Sequence, residues 1–515
     1  MFNFMEVDDD GQRGLLRMME APSECSGAQS KSIDWRGRVV RMLLAIVFAL
    51  GVMNLAVVPF ARPEESRAVA VSRTDNITHH FATKTVYWDQ RERADRGRRL
   101  RVPRAFVAAS SMERTRDNAS SVRLIQTQII ARHGIRYPTF GVITHIQSLL
   151  KKLSSAGVAL PTWLHNYTLP YDTTDAGELS AAGVREMELL AKRLLQAHAY
   201  HSTKAVYQSA RFTLVHTHVT RTKASAEAFA REYFANPSDV HYVEHPKHND
   251  RVLRFFDMCD RYQVQVKANK SAIHEMTAFA QSSKMQSTAK RLHQALHIDG
   301  AQHTVDLSTT DIEAAFAACA FDIALFGNTH NWCALWGREM VETLDYFDDL
   351  RAFYQLAGGY PINYEMSAVL LQDVWATIEA RVNGSSPHHF ATFRFAHAET
   401  TLPLMTLLGF GRVPVSSMTA SATVRDIRAR GFRTSSLAPF GANIEFRLFE
   451  LSDGNERRID QASSQQERFL LQVLVNERDD VVISGCADVR CPLSTLERLW
   501  RPFLRDFSFD EQCRV

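Results

Sequence analysis

The sequence lacks an excess of charge of either sign. Sixty lysines and arginines stand against 57 aspartates and glutamates, leaving a formal net charge of +3 over 515 residues. So balanced a chain carries no global field for a polyanion, which argues against a nucleic-acid partner, while a local basic pocket for a small anion remains compatible with it. Cysteine is scarce: there are seven, and none forms a CxxC pair, which argues against a structural zinc site. No internal repeat is visible. Long uncharged apolar runs are missing as well, except at residues 42–61 (MLLAIVFALGVMNLAVVPFA).

That exception is long enough to cross a bilayer as a helix. Lys31, Arg36, Arg38 and Arg41 precede it, and Arg62, Glu64, Glu65 and Arg67 follow. The basic excess in front predicts a cytosolic N-terminus. A cleaved signal peptide is the rival reading, but its apolar core is normally shorter and lies near the start of the chain. We therefore read a disordered cytosolic tail (1–41), a transmembrane signal anchor (42–61) and a luminal stem (62–80). Either reading delivers the rest of the chain to the secretory pathway, as a luminal or extracellular membrane protein, or as a secreted one if the segment is cleaved. Five glycosylation acceptors, at Asn76, Asn118, Asn166, Asn269 and Asn383, all lie beyond the apolar run. The spacings Cys319/Cys333 and Cys486/Cys491 suit local disulfides in an oxidising compartment, while the pairing of Cys259 and Cys513 stays open. Seven arginines between Arg91 and Arg104 read as a solvated loop.

The ordered body is placed at 81–515. Val122–Ala131 is β-branched and apolar and stops at a glycine-containing turn, as a buried strand does. Ser180 suits the cap of a helix through Leu195, and Thr310-x-x-Glu313 reads as the capping box of a helix ending at Gly327. Helical periodicity returns at 339–356 and 364–382, and strands are predicted at 391–396, 444–451 and 469–476. Strands flanking a long helical middle predict an α/β fold: a sheet domain (about 81–140, 200–235 and 388–510) flanked by helices, with mostly helical inserts (about 141–199 and 260–385).

Directly after the first strand comes Arg132-His133-Gly134-Ile135-Arg136-Tyr137-Pro138. The carboxyl end of a strand is where α/β sheets bind ligands. Two guanidinium forks beside one imidazole suit a phosphoryl group: the arginines match its oxygens in bidentate geometry, and a neutral imidazole can attack phosphorus in line. Thr217–Phe229 reads as a strand end running into a helix, carrying Arg221 with Thr222 and Ser225. A third element, His397-Ala398-Glu399, sits at a strand-to-helix junction. Other histidine groupings (His79-His80, His216 with His218, His241 with His245 and His248, His388-His389) lack convincing carboxylate or cysteine partners and read as surface or packing residues.

These motifs resemble the histidine phosphatase superfamily in its acid phosphatase branch, and the His-Ala-Glu form resembles the multiple inositol polyphosphate phosphatases. Further similar stretches are Phe81–Tyr87, Leu253–Cys259, Gly358–Asn363, Ala438–Asn443 and Leu474–Glu477. Met258 and the long insert at 88–121 depart from the pattern. The resemblance implies His133 as nucleophile, Arg132, Arg136, Arg221 and His397 as phosphate ligands, and Glu399 as proton donor, with no metal or cofactor. It implies hydrolysis of inositol polyphosphates such as inositol hexakisphosphate. A broad acid phosphatase that also takes bisphosphoglycerate, and a non-catalytic inositol-phosphate-binding membrane protein, are the alternatives. A phosphate dianion beside Glu399 would raise the proton affinity of that carboxylate, so substrate itself is expected to load the acid. Lys151, Lys152, Lys192 and Arg193 are candidates for additional phosphate contacts.

Overall fold

The computed structural model describes residues 77–87, 122–157, 160–198, 203–298, 305–451 and 468–515. The tail, the apolar run, most of the stem, the arginine-rich stretch, Cys25, Asn76 and Asn118 lie outside the described residues. Among the described residues no helix is long and apolar enough to cross a membrane.

Seven strands form one mixed sheet: β1 (Val122–Arg132), β2 (Phe212–Thr217), β3 (Tyr242–His245), β4 (Ala391–Ala396), β5 (Asn443–Leu451), β6 (Phe469–Val475) and β7 (Arg490–Pro492), in the order β3-β2-β4-β1-β5-β6-β7. β3, β2, β4 and β1 run parallel, while β5 to β7 continue the sheet antiparallel. The longer helices are α1 (Phe140–Ser154), α2 (Ala181–Ala197), α3 (Thr220–Tyr233), α4 (Ser283–Ala295), α5 (Thr309–Phe326), α6 (Arg338–Leu356), α7 (Ala368–Val382), α8 (Ala398–Leu407) and α9 (Leu493–Leu504).

β1 and β4 are almost continuously buried because both faces of the sheet are covered, although Gln126, Thr127 and Gln128 in β1 and Thr392 and Arg394 in β4 are polar. The alternation of side chains along β1 sends Ile129 and Ala131 to one cluster, with Phe229 of α3, Leu190 of α2 and Phe393 of β4. Ile130 goes to the other, larger cluster, which holds Phe446 and Leu448 of β5 and the apolar side chains of α5, α6 and α7. Disulfides join Cys259 to Cys513, Cys319 to Cys333 and Cys486 to Cys491.

Two local expectations need correction. The capping box of α5 is Ser308 with Asp311, two residues before the expected Thr310 and Glu313; Glu313 instead faces the interior and receives Arg351. The expected helix 364–382 is two pieces, Pro361–Glu365 and α7, because the Ser367 hydroxyl donates to the Tyr364 carbonyl at 2.6 Å and the chain turns there.

Candidate active site

Three parallel strands, β1, β2 and β4, end at the same edge of the sheet, and each delivers part of one cluster. Register places Arg132 opposite Ala396, so the next residue of each strand, His133 and His397, come together. The His133 amide donates to the Ala396 carbonyl at 2.9 Å, and the two imidazole rings lie 5.8 Å apart, edge to face. His133 Nδ1 is 2.8 Å from the Gly134 carbonyl oxygen. A carbonyl can only accept, so this contact assigns the proton to Nδ1 and the lone pair to Nε2, the nitrogen suited to attack.

Around His397 three groups converge. Thr217 Oγ1, from the end of β2, is 2.9 Å from Nε2, Arg254 Nη1 is 3.2 Å from the same atom, and Arg221 Nη2 is 3.4 Å from Nδ1. Arg221 stands in the first turn of α3, whose Ser225 hydroxyl donates to the Arg221 carbonyl and accepts from the Gly134 amide. Arg132 Nη1 donates to the carbonyls of Thr83 and Ala438, at 2.5 and 2.9 Å, and its guanidinium lies 4.6 Å from the centroid of the Phe440 ring. Arg136 Nη1 donates to the Tyr137 carbonyl. Arg132, Arg136, Arg221, Arg254, His133 and His397 are all buried. Several guanidinium groups around two imidazoles, withdrawn from water, make a site that suits a compact anion with many acceptor oxygens. Glu399 stands in the first turn of α8, and its charge is felt by the buried hydroxyl of Tyr262, held far above its ordinary range by burial first and by Glu399 next.

The loop after β1 is gripped by the first turns of α2. Ser180, the N-cap, bonds the Ile135 carbonyl through both its amide (3.0 Å) and its hydroxyl (2.8 Å). Glu186 Oε2 accepts the Ile135 amide at 2.9 Å. The approach requires glycine on both sides: a Cβ on Gly134 would lie 2.5 Å from the Gly183 oxygen, and one on Gly183 would lie 2.1 Å from the Ile135 oxygen. The carbonyl of Thr83 is itself positioned, because the Ala82 amide donates to Asp345 at 2.9 Å. Asp345 and Asp349 share Arg430 within the core. Arg430 holds the Asp345 carboxyl well below the usual range against the opposing effect of burial.

Arg254 is the residue that the sequence motifs did not assign. It is 1 % exposed, and its Nη2 donates to Asp257 at 2.5 Å. The signal available was the Arg-x-x-Asp spacing within Leu253–Cys259. Of the candidate extra cations, Lys152 is held by Asp311 and Arg193 is clamped by Glu477 at 2.7 and 2.8 Å, while Lys151 and Lys192 are exposed. Among the described residues no group of three or more histidine, cysteine, aspartate or glutamate side chains could hold a metal ion.

A family model described as the histidine phosphatase superfamily, branch 2, matches residues 123–476. Multiple inositol polyphosphate phosphatase 1 of Gallus gallus is 27% identical over 402 residues, spanning 76% of this chain and 84% of that protein. Its Homo sapiens counterpart is 28% identical over 380 residues, spanning 69% and 74%. Among solved structures, a phytase from D. castellii superposes with a TM-score of 0.65 at 16% identity, covering 85% of this chain and 88% of the other. The Bifidobacterium longum multiple inositol polyphosphate phosphatase in complex with inositol hexasulfate does so with a TM-score of 0.59 at 16% identity, covering 85% and 100%. At such identities these two likenesses speak for the fold.

Proposed function

The chain belongs to branch 2 of the histidine phosphatase superfamily, and on that premise we propose that it hydrolyses phosphate monoesters of inositol polyphosphates, inositol hexakisphosphate among them, through a phosphohistidine at His133. The observation that carries the reading is the meeting of His133 with His397, Arg221 and Arg132 at the carboxyl ends of parallel strands. Relatives named multiple inositol polyphosphate phosphatase support the substrate class.

In the proposed sequence Arg132, Arg136, Arg221 and His397 hold the phosphoryl oxygens. The Nε2 lone pair of His133 attacks phosphorus, the bond from phosphorus to the ester oxygen breaks, and Glu399 supplies the proton that the leaving alcohol needs. Water then cleaves the phosphorus–nitrogen bond, giving its proton to Glu399 and regenerating the imidazole. Two displacements replace one difficult step, and preorganised positive charge stabilises both. No step calls for a metal or cofactor.

We read 81–515 as the catalytic domain and 42–61 as a signal anchor that places it in the secretory lumen. The length and flanking charges of the apolar run support the anchor. Three disulfides support an oxidising compartment. Asn166, Asn269 and Asn383 are exposed, as glycan attachment requires. The test of function is phosphate release from inositol hexakisphosphate by the detergent-solubilised chain, beside His133→Ala and with p-nitrophenyl phosphate as second substrate. Several phosphates released per ring by wild type and none by the variant is the expected result. Cleavage of the aryl phosphate alone would remove the inositol assignment, and cleavage of neither would remove the enzyme.

A further inference from the structure

Glu186 has no part in the proposed chemistry, yet its position ties it to the residues that do. Its carboxylate lies beneath the nucleophile loop and accepts the Ile135 amide at 2.9 Å, while the backbone N–H of Tyr87 faces the same group. Glu186 Cδ is packed so closely under Gly441 that a Cβ there would come within 3.0 Å of it. Gly441 in turn donates its amide to the His133 carbonyl at 3.1 Å. One side chain thus touches the three segments that shape the pocket: the loop after β1, residues 81–87, and residues 438–443.

Arg132 faces Glu186 from the end of β1, and Arg193 from its own helix, two turns on. Residues 81–87 bring Tyr87, whose hydroxyl is held far above its usual range by burial first and then by Glu477. Glu477 follows β6 and is itself clamped by Arg193, so Arg193 is largely spent elsewhere. Arg132 is left as the cation through which Glu186 can act on the site.

We propose that Glu186 is a positioning residue that links a proton to phosphate binding: as a carboxylate it braces the loop and competes for the charge of Arg132, and as a carboxylic acid it releases that charge to the phosphoryl group. This rests on Arg132 as a phosphate ligand. Coupling between two sites is reciprocal, so an anion bound at Arg132 must draw a proton onto Glu186 to the same extent that the proton tightens the anion. Burial pushes the Glu186 carboxyl up to about 7, and the Ile135 amide, the Tyr87 amide and Arg132 only partly oppose that rise. The exchange therefore falls in the neutral range.

Inorganic sulfate is a suitable probe, because its own charge does not change across that range. The experiment is the inhibition constant for sulfate against p-nitrophenyl phosphate hydrolysis from about pH 5.5 to about pH 8, for wild type and Glu186→Gln in the full chain. A coupling of one pKa unit loosens sulfate by about fivefold over the interval in wild type. Glu186→Gln is expected to lose most of that pH dependence and to keep the tighter, acid-side value. An unchanged slope in the variant overturns the proposal. Arg132→Ala that leaves sulfate inhibition intact removes the assignment beneath it, a separate outcome. Should Glu186→Gln fail to fold, calorimetry of sulfate binding to wild type in two buffers of different ionisation enthalpy decides. Net proton uptake near neutrality is the expected result, and none overturns the proposal.

Discussion

A buried guanidinium that serves two partners at once cannot be replaced by an ammonium. Arg254 reaches His397 with one nitrogen and Asp257 with the other, from a position 1 % exposed. Lysine offers a single charged point on a flexible stem and keeps at most one of those contacts. Losing a hydrogen bond to a charged group costs about 1.5–3 kcal/mol, so Arg254→Lys is expected to lower kcat/KM for p-nitrophenyl phosphate by about tenfold to a hundredfold. The melting temperature should change little, since the charge and its Asp257 partner remain. An unchanged kcat/KM would mean that Arg254 packs the site without shaping it. The sequence hid this residue for a physical reason: an arginine beside two phenylalanines reads equally well as a stem lying on apolar surface with its head in water. Arg132, His133 and Arg136 could be proposed from sequence because they stand together in one seven-residue motif after a strand. The neighbours of Glu186 come from segments far apart in the chain, and no local pattern announces them.

The segment from Arg254 to Tyr262 owes its place to the far end of the chain. The Thr400 hydroxyl donates to the Leu253 carbonyl at 2.7 Å, the Arg261 amide donates to the Cys513 carbonyl at 2.8 Å, and Cys259 is bonded to Cys513. That bridge closes a separation of 254 residues, against 5 for Cys486–Cys491. Constraint of the unfolded chain grows with the logarithm of loop length. Replacing Cys259 and Cys513 together by alanine is expected to cost about 3–5 kcal/mol, and replacing Cys486 and Cys491 about 2 kcal/mol. Urea denaturation of both double variants is the check, and equal losses would set loop length aside as the cause. Short spacings made two of the three bridges readable in advance. The long one has no local signature. The central strand β1 was likewise readable from β-branched and apolar residues that stop at a glycine-containing turn, whereas β3 is mostly exposed and β7 has three residues, so neither gives a comparable signal.

Taken whole, the molecule holds protons that its unfolded chain would release. Burial raises both Glu186 and Asp322 to about 7, while unfolded carboxyls ionise near pH 4. Between those limits the folded state binds more protons, so stability falls as pH rises and levels off above the folded pKa. His389 works in the opposite sense: burial, then Arg394 and Arg381, lower it to about 4, so its effect ends near pH 6.5. Of these three groups, only the two carboxyls still act above that value. The melting temperature is expected to decline from about pH 6.5 to about pH 8, and Asp322→Asn to soften the decline. A thermal scan at several pH values tests both, and a rise over that interval would contradict them. The sheet flanked by helices was foreseeable from strands that lie on either side of a long helical middle, since few architectures cover such a sheet; the antiparallel half was not.

The place of β1 in the sheet also fixes when the protein can be finished. Thr127 pairs with Ala391 on one side and with Arg447 on the other, so the central strand is made long before either neighbour. Until the ribosome delivers β4 and β5, a strand with two open edges waits without its neighbours. A topology so dominated by distant pairings folds slowly. The pocket at the ends of β1 and β4 is therefore among the last parts of the molecule to exist.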